Sequence, residues 1–246
     1  MTRRAPVLAL LAVLLTAACA RLDAPHPVVI DIGHTPQAPG AIAASGATEH
    51  AFNERFGRRL AQALPSAGVA ATAIVEVSGA DPLLDRRIAA IDGHRPCLVL
   101  SIHHDSVQER YLRFRFVDGV EHGYTDHAAG YSLFVPTEAA PARDSLLAAR
   151  AIADALAAAG ERPTLHHAEA IEGEGRRLLD PGRGIYAGDF LKLLRTAEAP
   201  TVLIEVGVIK NPAEESRLSQ APAIEALAEA IAGAVASLPL CEVTSR

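Results

Sequence analysis

Three short apolar runs, Val28-Val29-Ile30-Asp31-Ile32, residues 98–102 and residues 201–206, constrain this chain more than any other feature. Each has the length and continuous hydrophobicity of a strand buried on both faces, and stretches with helical spacing lie between them. Residues 51–64 put Phe52, Phe56, Leu60 and Leu64 on one side, and the cluster Pro65-Ser66-Ala67-Gly68 stops that helix. A strand at 70–77, a helix at 83–92 and the strand at 98–102 come next. At 111–117 Arg113 and Arg115 alternate with Leu112, Phe114 and Phe116, as in a half-exposed strand, and 131–135 supplies another strand. A long helix at 143–159 precedes a polar, glycine-rich excursion at 160–184 with no sustained period. A helix at 188–195, the strand at 201–206 and a last helix through Ile224, Leu227, Ile231, Val235 and Leu238 complete the chain. Strands alternating with helices in this way specify an α/β domain built on a βαβ-type sheet.

Composition narrows the function. Half of the 246 residues are hydrophobic, which excludes a disordered chain, and the formal charge of −6 excludes the basic footprint of a nucleic-acid binder. Only 4% of residues are aromatic and none is Trp, so the chemistry must come from a few polar side chains. The first residues form a targeting segment. Arg3 and Arg4 precede an apolar run too short to span a bilayer, and it ends in Thr16-Ala17-Ala18-Cys19. Small residues before a Cys resemble a bacterial lipobox, although the usual Leu stands one position early, as Leu15. The resemblance implies a signal peptide at 1–18, lipidation of Cys19, a short tether at 19–27 and a tail at 239–246 after the domain. Ala20 after the Cys resembles the signal for the periplasmic face of the outer membrane. The alternative is an ordinary secretory peptide, and both readings make the protein exported. Cys97 and Cys241 remain; because Cys97 opens an apolar strand, two unpaired thiols are expected.

Polar residues gather at the C-terminal ends of the expected strands, where open α/β sheets place their ligand crevice. His34 follows the first strand, His103 the third, Glu205 lies near the end of the last, and Glu49 stands just before the first helix. Two imidazoles and a carboxylate form a catalytic zinc set that leaves one position for water. Spacing alone does not show this, since lone histidines are more often satisfied core or surface groups.

The wording around these residues decides it. Val29-Ile30-Asp31-Ile32-Gly33-His34, Ser45-Gly46-Ala47-Thr48-Glu49, Ser101-Ile102-His103-His104-Asp105 and the run from Val202 through Glu205 to Asn211-Pro212 resemble, in order, the four motifs of the zinc N-acetylmuramoyl-L-alanine amidases of the Amidase_3 family. The resemblance implies a single catalytic domain over 28–238 with a mixed, mostly parallel sheet flanked by helices. It makes His34, Glu49 and His103 the ligands of one Zn2+ per chain and Glu205 the catalytic carboxylate. The activity it implies is hydrolysis of the amide between N-acetylmuramic acid and L-alanine in peptidoglycan or muropeptides. The membrane is reached through the lipid anchor, and an activating protein partner is open. Two other readings fit the same residues: a peptidoglycan-binding lipoprotein without turnover, and a zinc carboxypeptidase acting on stem peptides.

Two motifs depart from the family pattern. Ile32 stands where the family has Pro, and the usual His-Ala-Asn reads His103-His104-Asp105, adding two ionisable groups beside the metal. Neighbours on an extended segment point to opposite faces, so His103 is expected toward the metal and His104 away from it, where it can act on the substrate or the metal water only indirectly. Arg183 is open to two roles, gripping a stem-peptide carboxylate or tying its loop to the sheet. Some amidases that resemble this one carry an inserted plug, and 161–184 is the segment that could serve as one. His122, His127, His166, His167, His26, His50 and His94 read as solvated surface groups.

Overall fold

The apolar runs become the centre of a seven-stranded sheet in the computed structural model, which describes residues 25–79 and 84–241. The signal peptide, Cys19 and the first part of the tether lie outside the described residues, as do Leu83 and 242–246. In chain order the strands are β1 (Val28–Ile32), β2 (Thr72–Val75), β3 (Leu98–Asp105), β4 (Arg113–Val117), β5 (Val120–Tyr124), β6 (Ser132–Val135), β7 (Leu178–Asp180), β8 (Ile185–Ala187) and β9 (Thr201–Val208). The helices are α1 (Glu49–Ser66), α2 (Leu84–Gly93), α3 (Ala142–Ala158), α4 (Lys192–Arg195), α5 (Pro212–Leu218) and α6 (Ala221–Ala236). The sheet order is β2-β1-β3-β9-β6-β8-β7; β6 runs antiparallel to β9 and β7 antiparallel to β8, and the other neighbours are parallel. This is the mixed, mostly parallel α/β sheet expected from the sequence.

The two faces are covered unequally. Val28, Ile30, Leu98, Leu100, Ile102, Val202, Ile204 and Val206 point to one side, where Phe52, Phe56, Leu60 and Leu64 of α1 and the apolar faces of α3 and α6 seal them in the main core. The alternate residues Val29 and Val99 point to the other side, where a smaller cluster with Ile91 and Leu193 brings in α2 and α4. Strand residues with the second parity therefore emerge under thin cover at the end of the sheet.

Several expectations are corrected. The alternating 113–117 segment is a strand, but it pairs only with β5 in a separate hairpin, so neither face meets a core and Phe114 and Phe116 are 59% and 73% exposed. The helix at 188–195 shrinks to α4 because its first part is bound elsewhere: Gly188 N donates to the Val135 carbonyl and the Asp189 carboxylate accepts from Thr137. The excursion at 160–184 contains β7 and two 3-10 turns. His50 is buried, with Nδ1 3.2 Å from the Gly33 carbonyl oxygen.

The expectation of unpaired thiols also fails. Cys97 and Cys241 form a disulfide with Cα atoms 5.2 Å apart, because the chain leaving α6 returns to the entry of β3. Both side chains still pack against the main core, so apolar packing and pairing coexist. The bridge closes a sequence separation of 144 residues, and long closed loops restrict the unfolded chain most. Reduction, or the pair Cys97→Ser and Cys241→Ser, is expected to lower unfolding free energy by about 2–4 kcal/mol, read by denaturant melts with and without reductant.

Candidate metal centre and catalytic cleft

The site is assembled at the C-terminal ends of β1 and β3 by backbone features that leave little room for alternatives. After β1 the chain turns sharply at His34, which has a φ of 63°. That is the left-handed region, costly for a residue with a Cβ. Arg87 of α2 holds the turn in place. Its guanidinium donates to the Asp31 carboxylate and the Ile32 carbonyl, and to the His34 carbonyl at 2.6 Å. Ser101 Oγ donates to the other Asp31 oxygen at 2.7 Å, so the buried acid of β1 is fully paired.

Glu49 comes from the first turn of α1, where Thr48 is the N-cap and accepts from Ala51 N. Its Oε2 accepts from Ala41 N at 2.9 Å, and Asn53, one helical turn on, donates to Oε1 at 3.3 Å. The fold thus aims Oε1 at two imidazoles, with His34 Nε2 and His103 Nδ1 each 3.0 Å away. The two rings lie 5.0 Å apart at 76°. A tetrahedral ion with bonds of about 2.0–2.1 Å separates its ligand atoms by about 3.3 Å, so each nitrogen stands near ligand spacing from Oε1, and the three atoms lie within 4.8 Å of one another. Burial tends to raise the Glu49 pKa, but the hydrogen bonds and charges of His103 and His34 outweigh it and hold the carboxyl well below the usual range.

Two glycines make room. A Cβ on Gly33 would come within 2.5 Å of the His103 ring, and one on Gly40, whose φ is +76°, would lie 2.3 Å from Glu49 Oε2 and 2.7 Å from His34 Nε2. Neither position tolerates a side chain while His34, Glu49 and His103 converge.

Alternation along β3 separates the adjacent histidines. His103 turns to the cluster, whereas His104 is 3% exposed, packs on Phe52 and Phe56 of α1, and meets Asn53 Oδ1 through Nδ1 at 2.8 Å. Burial pushes the His104 pKa down to about 3, so the ring is a neutral prop for Asn53 and reaches Glu49 only through that amide and its own backbone N. Glu205 is the register partner of His103 across the parallel β3–β9 pair, which places both side chains on the thinly covered face. Its Oε2 is buried without a hydrogen-bond partner. Burial, then the charges of Asp105 and Glu49, push its pKa well above the ordinary carboxylate value. A cavity of about 260 Å³ opens beside His34, His103 and Leu203, and a second of about 260 Å³ beside Glu205, Asp105 and Phe190; Leu191 lines both.

Arg183 is not brought to this cluster. Its guanidinium forms two hydrogen bonds with Asp154 of α3 and one with Asp180, so it ties the excursion to a helix. Asn53 and Arg87 escaped the sequence reading although each left a trace: Asn53 lies one turn after Glu49 on the helix, and Asp31 is an acid inside an apolar strand that requires a buried cation. Arg87→Leu is expected to cost about 3–5 kcal/mol of stability by stranding Asp31. It should also weaken metal binding by releasing the His34 turn, which denaturant melts and Zn2+ titration calorimetry would read separately.

The geometry agrees with the comparisons to known proteins. The chain is 29% identical over 201 residues to an N-acetylmuramoyl-L-alanine amidase of Mycobacterium tuberculosis, covering 81% of this chain and 72% of the relative. The solved structure of the amidase Ami1 from Mycobacterium abscessus superposes with a TM-score of 0.63 at 22% identity, over 85% of this chain and 96% of that one. An amidase from Clostridium difficile 630 gives a TM-score of 0.64 at 21% identity, over 86% and 95% of the two chains. The family model described as N-acetylmuramoyl-L-alanine amidase, Amidase_3, matches residues 28–237, and the chain belongs to that family.

Proposed function

We propose that this chain is a zinc-dependent N-acetylmuramoyl-L-alanine amidase, hydrolysing the amide between N-acetylmuramic acid and the L-alanine of a stem peptide. The observation that carries the reading is the convergence of His34 Nε2, Glu49 Oε1 and His103 Nδ1 on one point, with Glu205 on the neighbouring strand at the same register. The family match and the Mycobacterium tuberculosis relative support the choice of bond. His34, Glu49 and His103 would hold the ion, and this donor set suits zinc because imidazole nitrogen and carboxylate oxygen are its usual catalytic ligands. When bound, zinc supplies Lewis-acid polarisation of the scissile carbonyl and acidifies a water molecule.

The protein's own residues do the rest. Glu49 is fixed by Ala41 N and Asn53, so it keeps its aim while substrate enters. Glu205 receives the proton of the attacking water and returns it to the departing amine. Its raised pKa suits both halves of that transfer, because a carboxylate nearer neutrality is a stronger base and its conjugate acid is still present when the C–N bond breaks. Cys97 is spent in a disulfide, so a thiol nucleophile at that position is excluded.

We also propose export as a lipoprotein anchored through Cys19, a reading supported by the run Thr16-Ala17-Ala18-Cys19 and tested by palmitate labelling that Cys19→Ser abolishes. Such an anchor would hold the enzyme on the periplasmic face of the outer membrane, facing the wall it cuts.

Mass spectrometry of muropeptides incubated with the purified chain tests the reaction. Free stem peptides and peptide-less glycans are expected, lost on chelation and lowered at least a hundredfold by Glu205→Gln. Shortened peptides still attached to sugar would establish the carboxypeptidase reading instead, and no product despite bound zinc would leave the non-catalytic binder. Because Glu205 must be ionised to accept a proton, kcat/KM should rise with pH on its acid side, and that limb should vanish from the residual activity of Glu205→Gln.

A further inference from the structure

Two residues beyond His103, at the end of β3, Asp105 meets a pair of histidines that the amidase chemistry leaves unused. His166 and His167 occupy one 3-10 turn of the excursion after α3. The turn is fixed from below: Thr164 N donates to the Tyr131 carbonyl at 2.8 Å, and Tyr186 Oη donates to the Thr164 carbonyl at 3.0 Å. His167 Nε2 then lies 2.8 Å and His166 Nε2 3.5 Å from Asp105 Oδ2. Asp105 and His166 are 7% and 6% exposed, so the group is largely removed from water.

The outer nitrogens of both rings are held by neighbouring side chains. His167 Nδ1 lies 3.0 Å from Glu174 Oε2, and the other Glu174 oxygen accepts from Gln108 Nε2 at 2.9 Å. His167 Nε2 is itself in hydrogen-bond contact with Asp105, so a cation would take the place of the proton between them, and the Glu174 carboxylate behind Nδ1 is the support that metal-ligating histidines usually have. His166 Nδ1 is 2.9 Å from Thr164 Oγ1, while its Nε2 is buried and has no hydrogen-bond partner. An unpartnered buried imidazole nitrogen costs stability, and a ligand in the space it faces removes that cost. The two Nε2–Oδ2 separations bracket the roughly 3.3 Å between ligand atoms of a tetrahedral ion with bonds of about 2.0–2.1 Å. The grouping of His50, Glu54 and Glu76 lacks this character, because Arg58 already bonds both acids, at 2.9 and 2.7 Å.

We propose that Asp105, His166 and His167 form a second divalent-cation site, of the zinc type, on the Glu205 side of the cleft. Two imidazoles and one carboxylate favour zinc or a neighbouring first-row ion over calcium or magnesium, which take all-oxygen shells. Asp105 and His167 line the cavity that Glu205 and Phe190 also line. An ion there would cross-link the excursion to β3 and present a Lewis acid to an oxygen of the substrate. The assignment stands on its own ligands and does not depend on the first cluster.

The test is metal analysis of the full chain, stripped with chelator, reloaded with Zn2+ and desalted, together with anomalous diffraction at the zinc edge. Two ions per chain are expected, with one anomalous peak among His34, Glu49 and His103 and one among Asp105, His166 and His167. His34→Ala should keep the second ion, and the double variant His166→Ala with His167→Ala should keep only the first. Glu174→Gln, which leaves every ligand in place, should weaken the second site by roughly ten- to a hundredfold and leave the first unchanged. A single ion per chain, or a second peak elsewhere such as at His50, overturns the proposal. The wild-type anomalous map decides even if the double variant fails to fold.

Discussion

The two-residue repeat of β3 and β9 fixes where every functional group stands. Leu100, Ile102, Val202 and Ile204 point into the core under α1, α3 and α6, so Ser101, His103, Leu203 and Glu205 must point the other way. A one-residue slip in either strand would bury His103 or Glu205 and expose the core, which is a large penalty. The register is therefore held by the hydrophobic effect acting on residues that take no part in the chemistry. Asymmetric cover completes the arrangement: long helices seal one face, while α2 and the four-residue α4 leave the other open at the strand ends.

Concentrating carboxylates there creates an electrostatic problem that the structure solves differently for each. Asp31 is neutralised by Arg87 and bonded by Ser101. Glu49 is flanked by two histidines, and Asp105 by His167. Glu205 alone among these four keeps a buried oxygen without a partner, and its cross-strand neighbour Ser132 likewise has a buried Oγ with none. An acid left unpaired while its neighbours are paired is held in a high-energy state, and the groups that can relieve it are a proton, a water or a substrate.

How much of this was legible in the sequence depends on whether the cause was local. The strands β1, β3 and β9 and the helices α1, α3 and α6 were readable because each carries its own periodicity. That His34, Glu49, His103 and Glu205 come together was legible because they sit at strand ends or a helix start, where topology gathers them. What escaped depends on contacts between distant segments. Asp105 and His167 are 62 residues apart, Arg87 and Asp31 are 56 apart, and Cys97 and Cys241 are 144 apart. The local sequence can show that a partner is needed, as the acid inside the apolar β1 does, but not which distant residue supplies it. The hairpin β4–β5 shows the converse limit: alternation identified a strand, but which sheet it joins, and so whether its Phe residues find a core, is a tertiary matter.

The excursion at 161–184 illustrates what separates a plug from a wall. A segment that obstructs a site until a partner withdraws it must leave at low cost, so it should be held by few buried bonds. This one contributes β7 to the sheet edge, bonds Asp105 through His167 and Gln108 through Glu174, and places Glu169 within 2.6 Å of both Tyr111 Oη and His127 Nε2. Arg183 fastens its far end to α3, and Arg176 lies over the Phe190 ring at 4.0 Å. Withdrawing it would break each of these contacts and strip one side from the cavity beside Glu205. The cost of removal therefore argues for a permanent wall of the cleft, in which His167 and Glu174 line the cavity beside Glu205.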